Sequence, residues 1–149
     1  MRLQQSDLNR RQIIIEPRKL IIIVIGDRVY YCKPVPDLDG YFATTCGHVI
    51  SKKHKLPRVL RPTCKDNNSA YLRIRLSGRT KQLHRVIAAA FLYASTSHCR
   101  SGQFRFEVNH IDGNPRNNKV ANLEIVSSKE NSQWSKLLKT AKVERADEK

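Results

Sequence analysis

The sequence predicts an α+β fold, with a β-rich N-terminal part followed by a C-terminal unit of strand, loop, strand and helix. Two observations lead to this class. Apolar residues recur in short β-branched or alternating runs over the first 82 positions, and a helical period begins at Leu83. The length of 149 residues and the 40% hydrophobic content suit one modest core, so we expect one functional unit.

Short strands fill the predicted N-terminal part. Ile13–Ile15 and Leu20–Ile25 are β-branched runs, which predict short buried strands rather than helix. A connection rich in proline, Lys33–Gly40, precedes two more strand candidates, Tyr41–Ala43 and His48–Ile50. The glycine between these candidates predicts a small hairpin.

A second hairpin, with one charged face, is predicted from alternation. Between Tyr71 and Leu76, apolar side chains alternate with an aromatic residue and two arginines, so one face is core and the other is basic. A Ser-Gly turn then leads into Lys81–Leu83. A basic face with an aromatic at its edge suits a phosphate backbone, and a merely solvated face is the alternative interpretation.

The apolar period becomes helical from Leu83 to Ala94, with one stripe that should pack against the core. His84 and Arg85 stand at the start of this helix, where they either contact a nucleic acid or cap the helix. The polar residues that follow, as far as Gln103, predict a loop.

The net charge indicates an anionic partner. Lys and Arg number 28 against 13 Asp and Glu, for a formal charge of +15, so the chain should be attracted to a polyanion. Nucleic acid is the leading candidate. A basic surface kept for solubility, or assembly with a larger acidic protein, is the alternative.

The chain has no visible membrane or export route. Its first residues are too polar for a secretory signal, and its longest apolar run, Leu20–Ile25, is far shorter than the span of about 20 residues that a bilayer needs. The four cysteines lie far apart without a C-x-x-C pair. Reduced thiols in a cytoplasmic protein therefore fit best.

The C-terminal unit is predicted from turn and capping signals. Val108–Asn114 is a short strand that runs into an Asp-Gly turn. Asn122–Val126 is a second strand, and Ser127–Glu130 has the S-x-x-E form of a helix capping box. The predicted order is therefore strand, loop, strand and helix.

Three polar side chains are expected to converge within this unit. Asn131 lies in the first turn of the predicted helix, from which it can reach back across the hairpin toward Asn109 and His110. A lone histidine in an Asn-rich turn is usually an ordinary loop residue. Here the complete spacing favours a site, because Asn122 lies thirteen residues after Asn109 and Asn131 nine residues after Asn122.

With this spacing the chain resembles the HNH endonucleases, specifically the phage homing type found within introns or free-standing. The matching string is NHIDGNPRNNKVANLEIVSSKEN, over 109–131. Two upstream segments, LDGYFATTCGHVISKK (38–53) and LHRVIAAAF (83–91), resemble those that precede the HNH unit in these proteins. The resemblance covers most of the chain after about residue 33 and implies a C-terminal ββα-metal unit.

The resemblance also implies a role for each polar residue of the string. His110 is expected to be the general base, because imidazole has the ordinary pKa nearest neutrality. Asn109 and Asn131 are expected to hold Mg²⁺ or Mn²⁺ through their amide oxygens. Asn122 joins this catalytic constellation as a brace that bonds the loop backbone.

Two departures from the family pattern bear on the metal. Many relatives carry Asp at the position of Asn109, so both expected ligands are neutral in this chain. Some relatives end the motif with His, where this chain has Asn131. Metal binding is therefore expected to depend on negative charge supplied by DNA.

The implied activity is hydrolysis of double-stranded DNA that leaves 5′-phosphate and 3′-hydroxyl ends, with one strand nicked by each chain. The implied organisation is a DNA-contacting region over 1–82, a nuclease unit over 83–140 and a disordered tail over 141–149. A phage-encoded protein acting in the host cytoplasm without an obligate protein partner is expected. The residues expected to contact DNA are Arg73, Arg75, Arg79, Lys81, His84, Arg85 and Arg116.

Two other functions stay open at this point. One is a DNA-binding regulator that keeps the ββα shape without catalysis, and the other is a nuclease effector without sequence preference. Intact Asn109, His110 and Asn131 favour the endonuclease over the regulator.

Overall fold

The computed structural model describes residues 20–64, 70–92 and 106–147, and the statements below concern those residues. They form nine strands and two helices, so the predicted α+β class is confirmed. The strands lie in one five-stranded sheet and two separate hairpins. The predicted strand Ile13–Ile15 lies outside the described residues.

The five-stranded sheet is an antiparallel meander in which each strand pairs with the next one along the chain. The hairpin predicted around Gly47 forms its third and fourth strands. Its second strand is missing from the sequence prediction, because that segment mixes charged and aromatic residues without a long apolar run. The strands are β1 (Ile21–Ile25), β2 (Arg28–Pro34), β3 (Tyr41–Thr44), β4 (Val49–Ser51) and β5 (Arg58–Val59).

The first strand is less buried than the sequence predicts. Ile22 and Val24 are 61% and 57% exposed, because β1 is an edge strand and only its other face is covered. On that face Ile23 packs with Tyr30 and Ile50 in a small second core. The β-branched run predicted the strand correctly, but its burial was wrong.

The first helix occupies the main core. Strands β6 (Arg73–Leu76) and β7 (Arg79–Gln82) form a hairpin that runs directly into α1 (Leu83–Phe91). Six apolar residues of α1 are buried: Leu83, Val86, Ile87, Ala88, Ala90 and Phe91. The sequence predicts a helix as far as Ala94, which lies outside the described residues. The helix contacts the five-stranded sheet, β7 and the C-terminal hairpin, so it joins the three parts of the fold.

The C-terminal elements are β8 (Phe106–His110), β9 (Leu123–Ser127) and α2 (Ser128–Asp147). The second strand starts one residue later than predicted, because Asn122 ends a 3₁₀ turn that precedes it. Helix α2 contacts both strands of the hairpin and continues past position 141, where the sequence predicts a disordered tail.

The predicted capping box at the start of α2 is confirmed. The Glu130 carboxylate accepts hydrogen bonds from the Ser127 N–H, at 2.8 Å, and the Ser127 hydroxyl, at 2.9 Å. The Glu130 N–H donates to Ser127 Oγ at 3.2 Å. This reciprocal pair fixes where the helix begins, and therefore where Asn131 lies. In the described part of the chain, no helix is both long and apolar enough to cross a membrane.

Candidate active site

A small cavity of about 190 Å³ lies between β8, the loop that follows it and the start of α2. The structure brings Asn109, His110 and Asn131 together on its wall, although they come from two different elements. Asn109 and His110 end β8, and Asn131 lies in the first turn of α2. The remaining lining residues are Tyr71, Val108, Gly113, Pro115 and Ser135.

Carboxylates orient both asparagine side chains. Asn109 Nδ2 donates to Glu124 Oε1 at 2.9 Å, and Asn131 Nδ2 donates to Glu107 Oε2. A carboxylate can only accept a hydrogen bond, so each amide nitrogen must face its glutamate. The amide oxygen on the same carbon then points away from that glutamate. The two neutral amide oxygens are thereby kept away from the carboxylates and remain available to another partner.

The sequence reasoning missed both glutamates, although a signal for each exists. Glu107 lies two residues before Asn109 in β8, and so on the same face of the strand. Glu124 pairs directly with Asn109 in the β8–β9 register. Hydrogen bonds from the side chains of Asn131 and Ser128 hold the pKa of Glu107 below its ordinary value. Glu107 is therefore an anion at neutral pH.

His110 is buried, with 5% of its surface exposed. Its Nε2 lies 3.0 Å from Oδ1 of Asn118, which is itself buried. The imidazole also packs near the rings of Tyr71 and His84, at centroid distances of 6.0 and 5.2 Å. Packing and one hydrogen bond thus hold the ring at the cavity wall.

Asn122 lies outside the cavity lining and bonds the loop instead. Its Oδ1 accepts from the Asp112 N–H at 3.0 Å, and its Nδ2 donates to Asp112 Oδ1 and to the Asn117 carbonyl, both at 2.9 Å. Burial alone would raise the pKa of Asp112, but hydrogen bonds from Asn117, the Asn114 N–H and Asn122 outweigh it and lower the pKa. The loop is therefore closed around an ionised Asp112.

His84 requires a correction, because neither role expected for it is observed. It is only 3% exposed, so it is not at the surface for a DNA contact, and the N-terminal end of α1 has no side-chain cap. Burial, with smaller effects of His110 and Arg85, lowers the pKa of His84 from 6.5 to about 4. Its ring packs between Tyr71 and His110. Its Nδ1 has no hydrogen-bond partner among the described residues.

The basic hairpin also differs from the prediction, because its positive side chains do not share one face. Ser77 and Gly78 both have positive φ, of 46° and 80°, which gives a two-residue turn and fixes the register. Arg75 pairs with Thr80, whereas Leu76 pairs with Arg79. Cross-strand partners project to the same side of a hairpin. Arg79 therefore lies on the side of the buried leucine, opposite to Arg75.

Arg73 and Arg75 extend the alternation that starts at Tyr71, a residue of the cavity wall. Lys81 is on the opposite side, where it lines a separate cavity of about 370 Å³ together with Arg85. Arg116 is exposed on the loop after β8. Of the seven residues expected to contact DNA, Arg73 and Arg75 share one face of β6, two and four residues after Tyr71, which lines the cavity.

Three comparisons with known proteins bear on this site. Residues 101–133 match the family model described as HNH endonuclease. The chain is 39% identical over 93 residues to YosQ, an SPbeta prophage-derived protein of Bacillus subtilis (strain 168) that is named as an HNH homing endonuclease. The match covers 62% of this chain and 50% of YosQ. The chain therefore spans about half the length of this curated relative.

The fold is similar to that of a solved HNH homing endonuclease, I-HmuI, in a structure that concerns its DNA binding and cleavage. The TM-score is 0.50 at 25% sequence identity, and the match covers 76% of this chain and 67% of the other. The comparisons thus confirm the resemblance to the HNH endonucleases that the sequence predicts, and the family model places it over residues 101–133.

Proposed function

We propose that the protein is a metal-dependent DNA endonuclease and that β8, β9 and α2 form a ββα-metal unit around its active site. One observation supports this most strongly. Asn109, His110 and Asn131 line a single cavity, and the nitrogens of both amides donate to carboxylates, which leaves the amide oxygens for another partner. A base and two oxygen ligands in one small cavity are what hydrolysis of a phosphodiester requires.

The residues present fit a hard divalent cation. Among the described residues, no cluster of three or more His, Cys, Asp or Glu side chains could hold a metal, so the amide oxygens of Asn109 and Asn131 are the ligands we propose. Oxygen donors of this kind suit Mg²⁺ or Mn²⁺. When bound, the cation supplies charge stabilisation at the leaving oxygen. Because both ligands are neutral, we expect DNA phosphate to increase the affinity for the cation.

His110 is the proposed general base, which takes a proton from the attacking water. Its ring borders the cavity, packs against the rings of Tyr71 and His84, and lies within hydrogen-bond distance of Asn118. A base with a fixed orientation does not have to be ordered again in the transition state. Burial in a wall of neutral rings also limits competing water.

Double-stranded DNA is the proposed substrate, and the row Tyr71, Arg73 and Arg75 is its proposed path from the cavity. Residues on the same face of a strand follow each other at about 7 Å, so the two guanidinium groups can contact separate phosphates. The formal charge of +15 supports the same partner. Arg116 is exposed on the loop between β8 and β9 and is a further proposed DNA contact.

We propose that residues 83–140 act as the nuclease unit and that the preceding region contributes mainly DNA contacts. The two regions share the site, since Tyr71 lines the cavity from the N-terminal side of that boundary. One proposed active site per chain favours a nick in one strand, with 5′-phosphate and 3′-hydroxyl ends by analogy with the family.

The test is cleavage of supercoiled plasmid with Mg²⁺, Mn²⁺ or EDTA. We expect relaxed plasmid in either metal and none in EDTA. His110→Ala should lower the rate by roughly 100- to 10,000-fold, the usual contribution of a general base, while DNA binding is retained. His54→Ala is the matched control. His54 is an exposed histidine that is hydrogen-bonded to Arg58 and does not line the cavity.

Two outcomes would contradict the proposal. DNA that shifts in a gel but stays uncut in every metal would favour the non-catalytic regulator. Cleavage that His110→Ala leaves unchanged would show that hydrolysis uses a different base.

A further inference from the structure

We infer that Asn118 is the positioning residue for His110: it holds the imidazole in the tautomer with hydrogen on Nε2 and leaves Nδ1 as the basic atom. The consequence for catalysis rests on the proposed function. The tautomer itself is a property of the folded chain and can be measured without cleavage.

The hydrogen bonds of Asn118 determine which of its atoms faces the imidazole. Its Nδ2 donates to the Arg116 carbonyl at 3.3 Å, and its Oδ1 lies 3.0 Å from Nε2 of His110. Exchanging the two amide atoms would place Oδ1 against the Arg116 carbonyl, and neither oxygen could donate. The observed orientation is therefore the favoured one.

The tautomer of His110 follows from that orientation. An amide oxygen can only accept, so Nε2 of His110 must carry the hydrogen. In a neutral imidazole the other nitrogen then holds the lone pair. Both side chains are buried, with 4% of Asn118 and 5% of His110 exposed, so water competes little for this bond.

The five-stranded sheet holds the backbone of Asn118 in place. Gly47, in the turn between β3 and β4, lies so close that a Cβ atom on it would be 2.6 Å from the Asn118 carbonyl carbon and 2.7 Å from its oxygen. The Val120 N–H donates to the Thr45 carbonyl at 3.0 Å in the same contact. The tip of a distant hairpin therefore sets the position of the residue that orients His110.

A purely structural role for Asn118 is the competing explanation, and Asn122 helps to separate the two. Asn122 already closes the loop through three hydrogen bonds, none of which involves His110. Asn118, in contrast to Asn122, contacts the imidazole of His110 directly through its Oδ1. A loop brace would not affect which ring nitrogen is protonated, whereas a positioning residue would.

The first experiment is a two-bond ¹H–¹⁵N spectrum of the histidine rings in the full chain, without DNA or metal. It is recorded at about pH 9, well above the ordinary pKa of imidazole, so that neutral rings are observed. We expect the Nε2–H pattern for His110 in the wild type and in Asn118→Asp, which keeps an acceptor for the same hydrogen but loses the bond to the Arg116 carbonyl. Asn118→Leu should shift the ring toward a mixture of tautomers.

Asn117→Leu is the matched control, because it removes a side-chain hydrogen bond to Asp112 in the same loop without contacting His110. It should leave the His110 pattern unchanged. An Nδ1–H pattern for His110 in the wild type would overturn the inference, whatever the cleavage assay shows. This outcome needs no variant, so a variant that fails to fold does not affect it.

The second experiment compares cleavage rates of the same variants at the same pH. Asn118→Leu should lose about 10- to 100-fold, the range typical of partners that orient a catalytic or ligating histidine. Asn118→Asp should retain more activity than Asn118→Leu. Equal losses in the two, with the tautomer kept only in Asn118→Asp, would show that the bond to His110 has no catalytic effect. Absence of cleavage in the wild type would overturn the proposed function but not the tautomer.

Discussion

The loop between β8 and β9 lines the cavity, and the β6–β7 hairpin begins two residues after Tyr71, which also lines it, but the two are built in different ways. In the loop, side chains bond to the backbone and to each other, as Asn122 does with Asp112 and Asn117. In the hairpin, the backbones pair, and side chains such as Arg75 and Arg79 extend into solvent. The loop therefore fixes geometry, whereas the hairpin supplies charge.

This difference predicts two kinds of mutational response. A substitution that moves a group at the loop or at the adjoining ends of β8 and α2 should change the cleavage rate strongly, because the reacting groups must be placed within about 1 Å. A substitution on the hairpin should change DNA affinity gradually and in a salt-dependent way, because charge acts over a Debye length of about 10 Å.

Among the variants that test this difference, the largest effect is expected where carboxylates orient the amide ligands. Asn131→Ala and Glu107→Gln should each slow cleavage by about 10- to 100-fold, since Glu107 acts by turning the Asn131 amide. The double variant should be no slower than Asn131→Ala alone, because the two residues act as one unit. Single-turnover cleavage rates measure this cycle.

Ser132→Ala is a control for that cycle, because Ser132 lies beside Asn131 but bonds only along its own helix. Losses that multiply in the double variant would mean that Glu107 and Asn131 act independently. The proposal that Glu107 acts by orienting the Asn131 amide would then be wrong.

The next effect concerns the contact between the sheet and the loop. Gly47 and Gly26 both have positive φ, of 89° and 61°, but only a Cβ on Gly47 would meet another backbone. Gly47→Ala should therefore lower the free energy of unfolding by about 1–3 kcal/mol more than Gly26→Ala, the usual cost of overpacking. Urea unfolding measures this difference. Similar losses in both variants would show that the sheet and the loop are not tightly packed.

A smaller effect is expected from the two faces of the hairpin. Arg75→Ala should weaken DNA binding several-fold and reduce the slope of log affinity against log salt by about 1, the value for one phosphate contact. Arg79→Ala removes the same charge from the opposite face and should change the slope less. Fluorescence anisotropy with labelled duplex DNA at several salt concentrations provides the test. Equal slopes in the two variants would mean that Arg75 and Arg79 contribute equally to DNA binding, as the single basic face predicted from the sequence would require.

The last effect concerns His84, whose ring packs against those of Tyr71 and His110. Its pKa is about 4 in the folded chain and 6.5 when exposed, so the unfolded chain binds more protons between these values. The free energy of unfolding should therefore fall as the pH is lowered through this window, by at most about 1.4 kcal/mol per pH unit from this group. His84→Gln should reduce the slope of the free energy of unfolding against pH, by up to the amount that corresponds to one bound proton.

Urea midpoints between about pH 6.5 and pH 4 measure this proton uptake. His54→Gln, at an exposed histidine, is the control and should leave the slope as in the wild type. If His84→Gln keeps the wild-type slope, His84 takes up its proton as readily in the folded chain as in the unfolded chain.

Prediction from the sequence was most successful where local patterns decide structure. The two-residue period around Ile74 and the capping box at Ser127 are properties of a few neighbouring residues, and both were confirmed. The convergence of Asn131 with His110 was also expected from spacing, and both residues line the cavity. The catalytic roles assigned to them stay predictions.

Prediction was less successful where a side chain depends on what lies across from it. Glu124 contributes to the site only because the β8–β9 register pairs it with Asn109. His84 was expected near DNA or at a helix cap, but the packing of α1 buries it. Neither fact is encoded in a short window of sequence.

By itself, the sequence determined the α+β class, most of the strands and both helices, the resemblance of residues 101–133 to the HNH endonucleases, and three of the polar residues that line the cavity. These follow from periodicity, turn chemistry and motif spacing, which act over a few residues along the chain. The tertiary structure decided which amide atoms face the carboxylates, that Arg75 and Arg79 lie on opposite faces of the hairpin, and that Gly47 supports Asn118. These depend on strand register and on contacts between residues far apart in sequence, where a shift of one residue changes every partner.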